Sequence, residues 1–222
     1  MTKPILIYFA ARGRAEFIRL LLAEAGVDYE EHVVGRGTPP SGGRPTDLEA
    51  LKATGQLPFD AVPVWEEPNG LRLAQSAAIA SHIARLHGLR GENAIEEARC
   101  DEVLGAVDDV RLELRKVATA SAEARRGVRA ELASTILPRW LGYLDRLLRK
   151  NGDGSGYLVG RGLTMADLAL WYLLEMITDN GFGSALTAYP ALRAFAERIG
   201  NRPAIAKYCR STRRPPFSPL PT

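Results

Sequence analysis

The sequence predicts two units of different fold class, an α/β unit with a mixed sheet over residues 1–90 and an all-helical unit over residues 91–222. Three observations carry this expectation. Short β-rich apolar runs alternate with helical periods through the first ninety or so residues. From Asn93 onward, apolar positions recur only at three and four, the helical spacing. In addition, residues 62–88 set a proline, a hairpin turn and a helix start in succession, and a helix start leaves backbone N–H groups free to meet an anion.

Taken in order, residues 4–9 read as a strand, followed after Ala10-Ala11-Arg12-Gly13 by a helix with the apolar face Ile18, Leu21, Leu22 and Ala25, ended by Gly26. Residues 29–34 supply a second strand, and the Gly- and Pro-rich residues 35–45 read as a loop insertion without the Gly-Lys-Ser/Thr ending of a phosphate loop. A short helix over residues 47–54 carries Lys52. A strand closed by Val62-Pro63, a turn at Pro68-Asn69-Gly70 and a strand over residues 71–74 lead to a Ser-capped helix opening at Gln75-Ser76, with the face Ile79, Ile83 and Leu86 and a stop at Gly88.

In the second half, Asn93 with Glu96 predicts a capping box, and Cys100, Val103, Val107, Val110, Leu114 and Val117 make the core stripe of one long helix. A second long helix carries Val128, Leu132, Ile136, Leu141, Leu144 and Leu148, bent at Pro138 and broken at Asn151-Gly152-Asp153-Gly154. Residues 164–177 open with a second box, Thr164 to Asp167, and are apolar on every side, the pattern of a central buried helix. A further helix after Tyr189-Pro190 carries Leu192, Phe195 and Ile199, and residues 210–222 hold too much proline to be regular.

Composition narrows the function. The net charge of +3 is spread among nearly as many acids, with no basic stripe interleaved with aromatics, which argues against nucleic-acid binding. Two distant cysteines, Cys100 and Cys209, form no disulfide framework or thiolate metal site, and His32, His82 and His87 lack metal spacing and read as surface residues, so no metal is expected. The initial apolar run is too short for a signal peptide and no stretch is long enough to span a bilayer, so a soluble, cytoplasmic protein is expected.

Six motifs then point to a family: Tyr8-Phe9 with Ala11-Arg12-Gly13-Arg14-Ala15-Glu16, Leu57-Pro58-Phe59-Asp60, Val62-Pro63, Gln75-Ser76-Ala77-Ala78-Ile79, Tyr157-Leu158-Val159-Gly160, and Thr164 through Asp167. Over nearly the whole chain they resemble the cytosolic glutathione transferases, most closely the tyrosine-type alpha and sigma classes. The resemblance implies a thioredoxin-like amino-terminal domain with a mixed four-stranded sheet that binds glutathione, and a helical domain that contributes the acceptor site. It implies Tyr8 as the catalytic residue, with Arg14 adding positive field. For glutathione it implies Val62 and a cis Pro63 at the cysteinyl part, Gln75 and Ser76 at the γ-glutamyl carboxylate, Lys52 at the glycyl carboxylate, and Asp109 of a second subunit at the γ-glutamyl ammonium. Phe59 resembles the aromatic key of a homodimer.

The chemistry is a pKa argument. A free thiol titrates near 8.5, and ionising it at neutral pH asks for about two units, or about 2.7 kcal/mol. A hydrogen bond from the Tyr8 hydroxyl to the thiolate supplies roughly 1.5 to 3 kcal/mol. The acceptor site, by resemblance, falls on Phe9, Ala11, Arg115 and Phe217. Arg115, Lys116 and Thr119 stand where the alpha class is apolar, which predicts polar or anionic acceptors. Arg115 is the candidate for the cleft, since Lys116 lies about 200° around the helix from Leu114. The chain ends soon after Phe217, where the alpha class continues into a covering helix, so an open pocket is expected. Conjugation to electrophilic small molecules is the leading function, with a glutathione-dependent peroxidase or isomerase, or a non-catalytic relative, as alternatives.

Overall fold

The computed structural model describes residues 2–35, 47–152 and 156–221. Strands β1 (Ile5–Phe9), β2 (Glu30–Val34), β3 (Val64–Glu66) and β4 (Arg72–Ala74) form one sheet in the order β2-β1-β3-β4. β1 runs parallel to β2 and antiparallel to β3, and β3 pairs with β4 through the hairpin, so the sheet is mixed as expected. Helices α1 (Glu16–Glu24) and α3 (Ser76–Leu86) cover one face, where Leu6, Tyr8 and Trp65 enter the main core. Helix α2 (Leu48–Ala53) covers the other, where Ile7, Val34, Leu51, Leu57, Val64 and Ala74 make a second core. The alternation of β1 thus feeds two cores at once.

Some expectations about this half need correction. The Val62-Pro63 bond is cis and precedes β3 instead of closing a strand, which suits a residue without an N–H to give to the ladder. Helix α3 is not capped by a serine: Gln75 occupies the cap position at φ 70° and Ser76 is the first helical residue. Leu86 is 62% exposed, and Ala80 and Ala84 join Ile79 and Ile83 on the buried face. His82 is paired with Glu67 at 2.7 Å rather than simply solvated. Most of the predicted loop at residues 35–45, and Asp153 and Gly154, lie outside the described residues.

Every regular element described in the second half is helical. Helix α4 (Ala94–Thr119) buries the full stripe from Cys100 to Val117. Asn93 caps it by accepting from the N–H groups of Ile95 and Glu96, while Glu96 reaches back to the N–H of Glu92, one residue earlier than a capping box would have it. The second long helix is two, α5 (Ala122–Glu131) and α6 (Leu137–Lys150), joined by a π-helical turn at Leu132–Ile136 where the Leu137 N–H bonds the carbonyl of Leu132. The wide turn sits just before Pro138, whose missing N–H disturbs the regular ladder there. Helix α7 (Met165–Ile177) is central, with Asp167 fully buried and accepting from Thr164 N–H, the Thr164 hydroxyl and the N–H of Leu158. Helices α8 (Pro190–Gly200) and α9 (Pro203–Cys209), the latter missed by the sequence reading, complete the bundle. No helix among the described residues is long and apolar enough to cross a membrane.

A chain of charges ties the halves together. Glu16 and Arg19 of α1 are both fully buried. Glu16 accepts from Arg214 Nε at 2.7 Å and from the Tyr208 hydroxyl at 3.1 Å. Arg214 also holds Glu175, which lies 3.5 Å from Arg12. On the other side Arg19 lies 3.5 Å from Glu16, bonds Glu31 at 2.9 Å, and donates to the carbonyl of Ala11 at 2.9 Å, bracing the end of β1.

Candidate active site

The chain leaves β1 at Phe9 and turns back over Tyr8, which is 9% exposed. The turn depends on Gly13, at φ 41°, because a Cβ there would lie 2.5 Å from the Tyr8 hydroxyl. The next residue, Arg14, donates its backbone N–H to the Tyr8 oxygen at 2.9 Å. With that oxygen's acceptor role taken, the phenolic proton remains free to point outward and donate. The helical half fixes the same turn: the carbonyl of Gly13 accepts from Arg111 of α4 at 3.0 Å and from the Tyr172 hydroxyl of α7 at 3.3 Å.

Two cavities meet at this turn, and Arg14 lines both. The smaller, about 210 Å³, is walled by Phe59, Val62, Pro63, Gln75 and Ser76. Asp60 and Gln75, at φ 50° and 70°, are the non-glycine residues with positive φ among the described residues, and both lie at this cavity or one residue from its wall. Such conformations cost about 1–3 kcal/mol each and collect at ligand sites. The Ser76 hydroxyl opens the eleven-residue α3, is buried, and has no hydrogen-bond partner among the described residues. A buried hydroxyl and unpaired N–H groups at a helix start form a site for a carboxylate.

Lys52 and Asp109 are not brought to this cavity. The Lys52 ammonium is bound to Glu49 at 2.7 Å, a contact that raises its pKa, and Asp109 is exposed on α4.

The larger cavity, about 380 Å³, lies between α4, α7 and the carboxyl-terminal segment. Tyr8 and Ala11 reach it from the sheet side, with Ala118, Met176, Phe217 and Leu220 as apolar wall. Phe9 is a correction: it lies in β1 on the side of Ile7, is 37% exposed, and does not line the cavity. Arg115 does line it, whereas Lys116 points away and pairs with Glu113 at 2.7 Å. The Thr119 hydroxyl turns back to the helix carbonyls of Arg115 and Lys116. The carboxyl-terminal segment is irregular, as expected, yet it is tied down: Arg12 donates to Pro215 O at 3.1 Å and stacks over Phe217, and Leu220 N–H bonds Asn180 at 2.7 Å.

Sequence reasoning missed Arg111, Tyr172 and Asn180. Arg111 was within reach, since it stands one helical turn before Arg115 on the same stripe. The other two act through contacts more than a hundred and about forty residues away in sequence, and no local pattern marks them. Burial pushes the Cys100 thiol up, in keeping with a core residue. No cluster of metal-ligating side chains occurs among the described residues.

Known proteins share both architecture and sequence with this chain. The family described as glutathione S-transferase, N-terminal domain, matches residues 4–85, and that described as glutathione S-transferase, C-terminal domain, matches residues 108–212. Glutathione S-transferase A1 of Mus musculus is 36% identical over 97% of this chain and 92% of its own length. Glutathione S-transferase alpha-2 of Rattus norvegicus is 36% identical over 96% of this chain and 91% of its own. Among solved structures, that of NaGST-2 is 33% identical with a TM-score of 0.79, covering 98% of this chain and 99% of that one. A Pi-class glutathione S-transferase of Onchocerca volvulus is 26% identical with a TM-score of 0.80, covering 94% and 92%.

Proposed function

The chain belongs to the glutathione S-transferase family and conjugates glutathione to electrophilic small molecules, and from that premise we propose how its residues divide the work. The observation that carries the reading is Tyr8: its oxygen accepts from the N–H of Arg14, the residue shared by the two cavities, so its proton is the one left to give into the larger one. A glutathione thiol placed there is ionised by the hydroxyl bond, worth roughly 1.5 to 3 kcal/mol, and attacks an electrophile in the larger cavity. The thiol proton passes to solvent, the carbon–sulfur bond forms, and the leaving group departs with its electron pair. Arg14, which lines both cavities, adds positive field beside the sulfur.

In the smaller cavity, Ser76 and the α3 amino terminus with Gln75 take the γ-glutamyl carboxylate, and the backbone of Val62 before Pro63 pairs with the cysteinyl part as an added strand does. Lys52 exchanges Glu49 for the glycyl carboxylate, one carboxylate for another. Phe59, 66% exposed, seats in a second copy of the chain, whose Asp109 reaches the γ-glutamyl ammonium. A cytoplasmic location suits two cysteines that are both free thiols.

The test is conjugation of glutathione to 1-chloro-2,4-dinitrobenzene by the wild type and by Tyr8→Phe. Turnover that falls at least about tenfold in the variant is expected for loss of one charge-directed hydrogen bond. Equal turnover by the two proteins removes Tyr8 from the mechanism.

A further inference from the structure

We propose that the larger cavity is built for electrophiles that carry a carboxylate, held by Arg111 and Arg115 of α4. The inference rests on the transferase reading of the site and names the acceptor class. The two residues are four apart, so they stack on one face about 6 Å from each other along the helix, and both line the cavity. Their positive charge is not cancelled locally. Arg12, on the opposite wall, is neutralised by Asp179 at 3.3 Å and Glu175 at 3.5 Å. Arg111 spends one guanidinium nitrogen on the Gly13 carbonyl, a neutral acceptor, and stacks on Tyr172.

No carboxylate among the described residues lies within ion-pair distance of Arg111 or Arg115. The acids nearby are engaged elsewhere, Glu113 by Lys116 and Glu175 by Arg214, and Asp108, which lines a small void beneath Arg111, makes no ion pair with it. Met176, Phe217 and Leu220 offer an apolar bed for the body of the acceptor, and Tyr8 marks the end where the thiolate attacks. An acceptor that spans the cavity therefore puts its reactive carbon near Tyr8 and its anionic end along α4.

The experiment compares 4-chloro-3-nitrobenzoate with its methyl ester. In both, the thiolate forms a carbon–sulfur bond at the chlorinated carbon and chloride leaves with the bonding pair; the ester also activates the ring more than the carboxylate does, a difference that is the same for every variant and cancels when the acid-to-ester ratio is compared between them. The readout is the ratio of kcat/KM for acid over ester in the wild type, Arg115→Gln and Arg115→Lys. The ratio is expected to fall about 3- to 10-fold in Arg115→Gln, to be largely kept in Arg115→Lys, and in the wild type to shrink as salt is raised. An unchanged ratio in Arg115→Gln overturns the inference while turnover of the ester leaves the transferase reading standing. If neither probe is turned over, turnover of 1-chloro-2,4-dinitrobenzene decides whether that reading stands or falls. Calorimetric binding of the acid then decides the charge question by itself: weaker binding to Arg115→Gln supports it and equal binding overturns it.

Discussion

Tyr8 and Gly13 are in such close approach that a single added methyl at Gly13 would sit 2.5 Å from the Tyr8 hydroxyl oxygen. The positive φ at Gly13 adds backbone strain to that collision. Gly13→Ala is therefore expected to move the phenol and to lower kcat/KM by about 10- to 100-fold with the fold intact, because misplacement of a reacting group by about 1 Å has effects of that order. Steady-state kinetics with circular dichroism as the fold control measures it. Full activity in the variant would mean that the hydroxyl is not where the chemistry happens.

Removing the hydroxyl alone addresses the thiol directly. Tyr8→Phe is expected to raise the pKa of bound glutathione by about one to two units while leaving its affinity within a few-fold, since one donor is lost and little volume. Ultraviolet absorbance of the thiolate against pH reads the midpoint. A midpoint equal to that of the wild type assigns the ionisation to another group, Arg14 being the first to examine.

Phe59 presents a large apolar ring on a polar loop, two-thirds exposed in the single chain. An aromatic anchor of this kind is stable in water when a partner buries it. Sedimentation should find a wild-type dimer and a largely monomeric Phe59→Ser. A wild-type monomer at micromolar concentration would remove both the anchor and the role given to Asp109.

Asp167 carries a pH signature as well as a structural role. Asp167→Ala leaves the N–H groups of Leu158 and Thr164 and the Thr164 hydroxyl without their acceptor, at an expected cost of about 3 kcal/mol. Burial raises its carboxyl to about 6 against the pull of those donors. A raised folded-state value means that the folded chain holds the proton more tightly than the unfolded chain, whose aspartates titrate near 3.9. The contribution is full below about pH 4 and is lost as the pH climbs through about 6, so the stability of the wild type relative to Asp167→Asn should decline between those values. Urea midpoints of both proteins across that range check it; a constant difference would place the carboxyl in its ordinary range.

The fold class was legible in the sequence because burial writes itself as a period. The stripe from Cys100 to Val117 and the uniformly apolar run of α7 reappear as the buried faces of those helices. Cap chemistry was legible where it is local, as at Thr164 and Asp167. What escaped was set by distance or by a single residue of register. Phe9 adjoins Tyr8 in sequence but leaves β1 on the opposite side and is partly exposed, since alternation along β1 reverses with each residue. Arg111 and Tyr172 matter to Tyr8 only because two helices from the other half converge on one carbonyl of the first. The π-helical turn before Pro138 follows from a missing donor whose effect reaches one turn back, and the sequence gives the cause without the place.

The buried charges of α1 also impose an order on the making of the protein. Glu16 finds Arg214 and the Tyr208 hydroxyl only across 198 and 192 residues of chain, and until they arrive its nearest counter-charge is Arg19, already engaged by Glu31. A buried carboxylate without its partners is costly, so the amino-terminal half is expected to hold an unfinished interior until Tyr208 and Arg214 join it. The sharp change of pattern near residue 90 is therefore not expected to be a boundary in the protein's thermodynamics. The two halves are expected to close together in one cooperative step, and the turn that carries Tyr8, braced by Arg19 from below and by Arg111 and Tyr172 from above, is assembled at the end of folding.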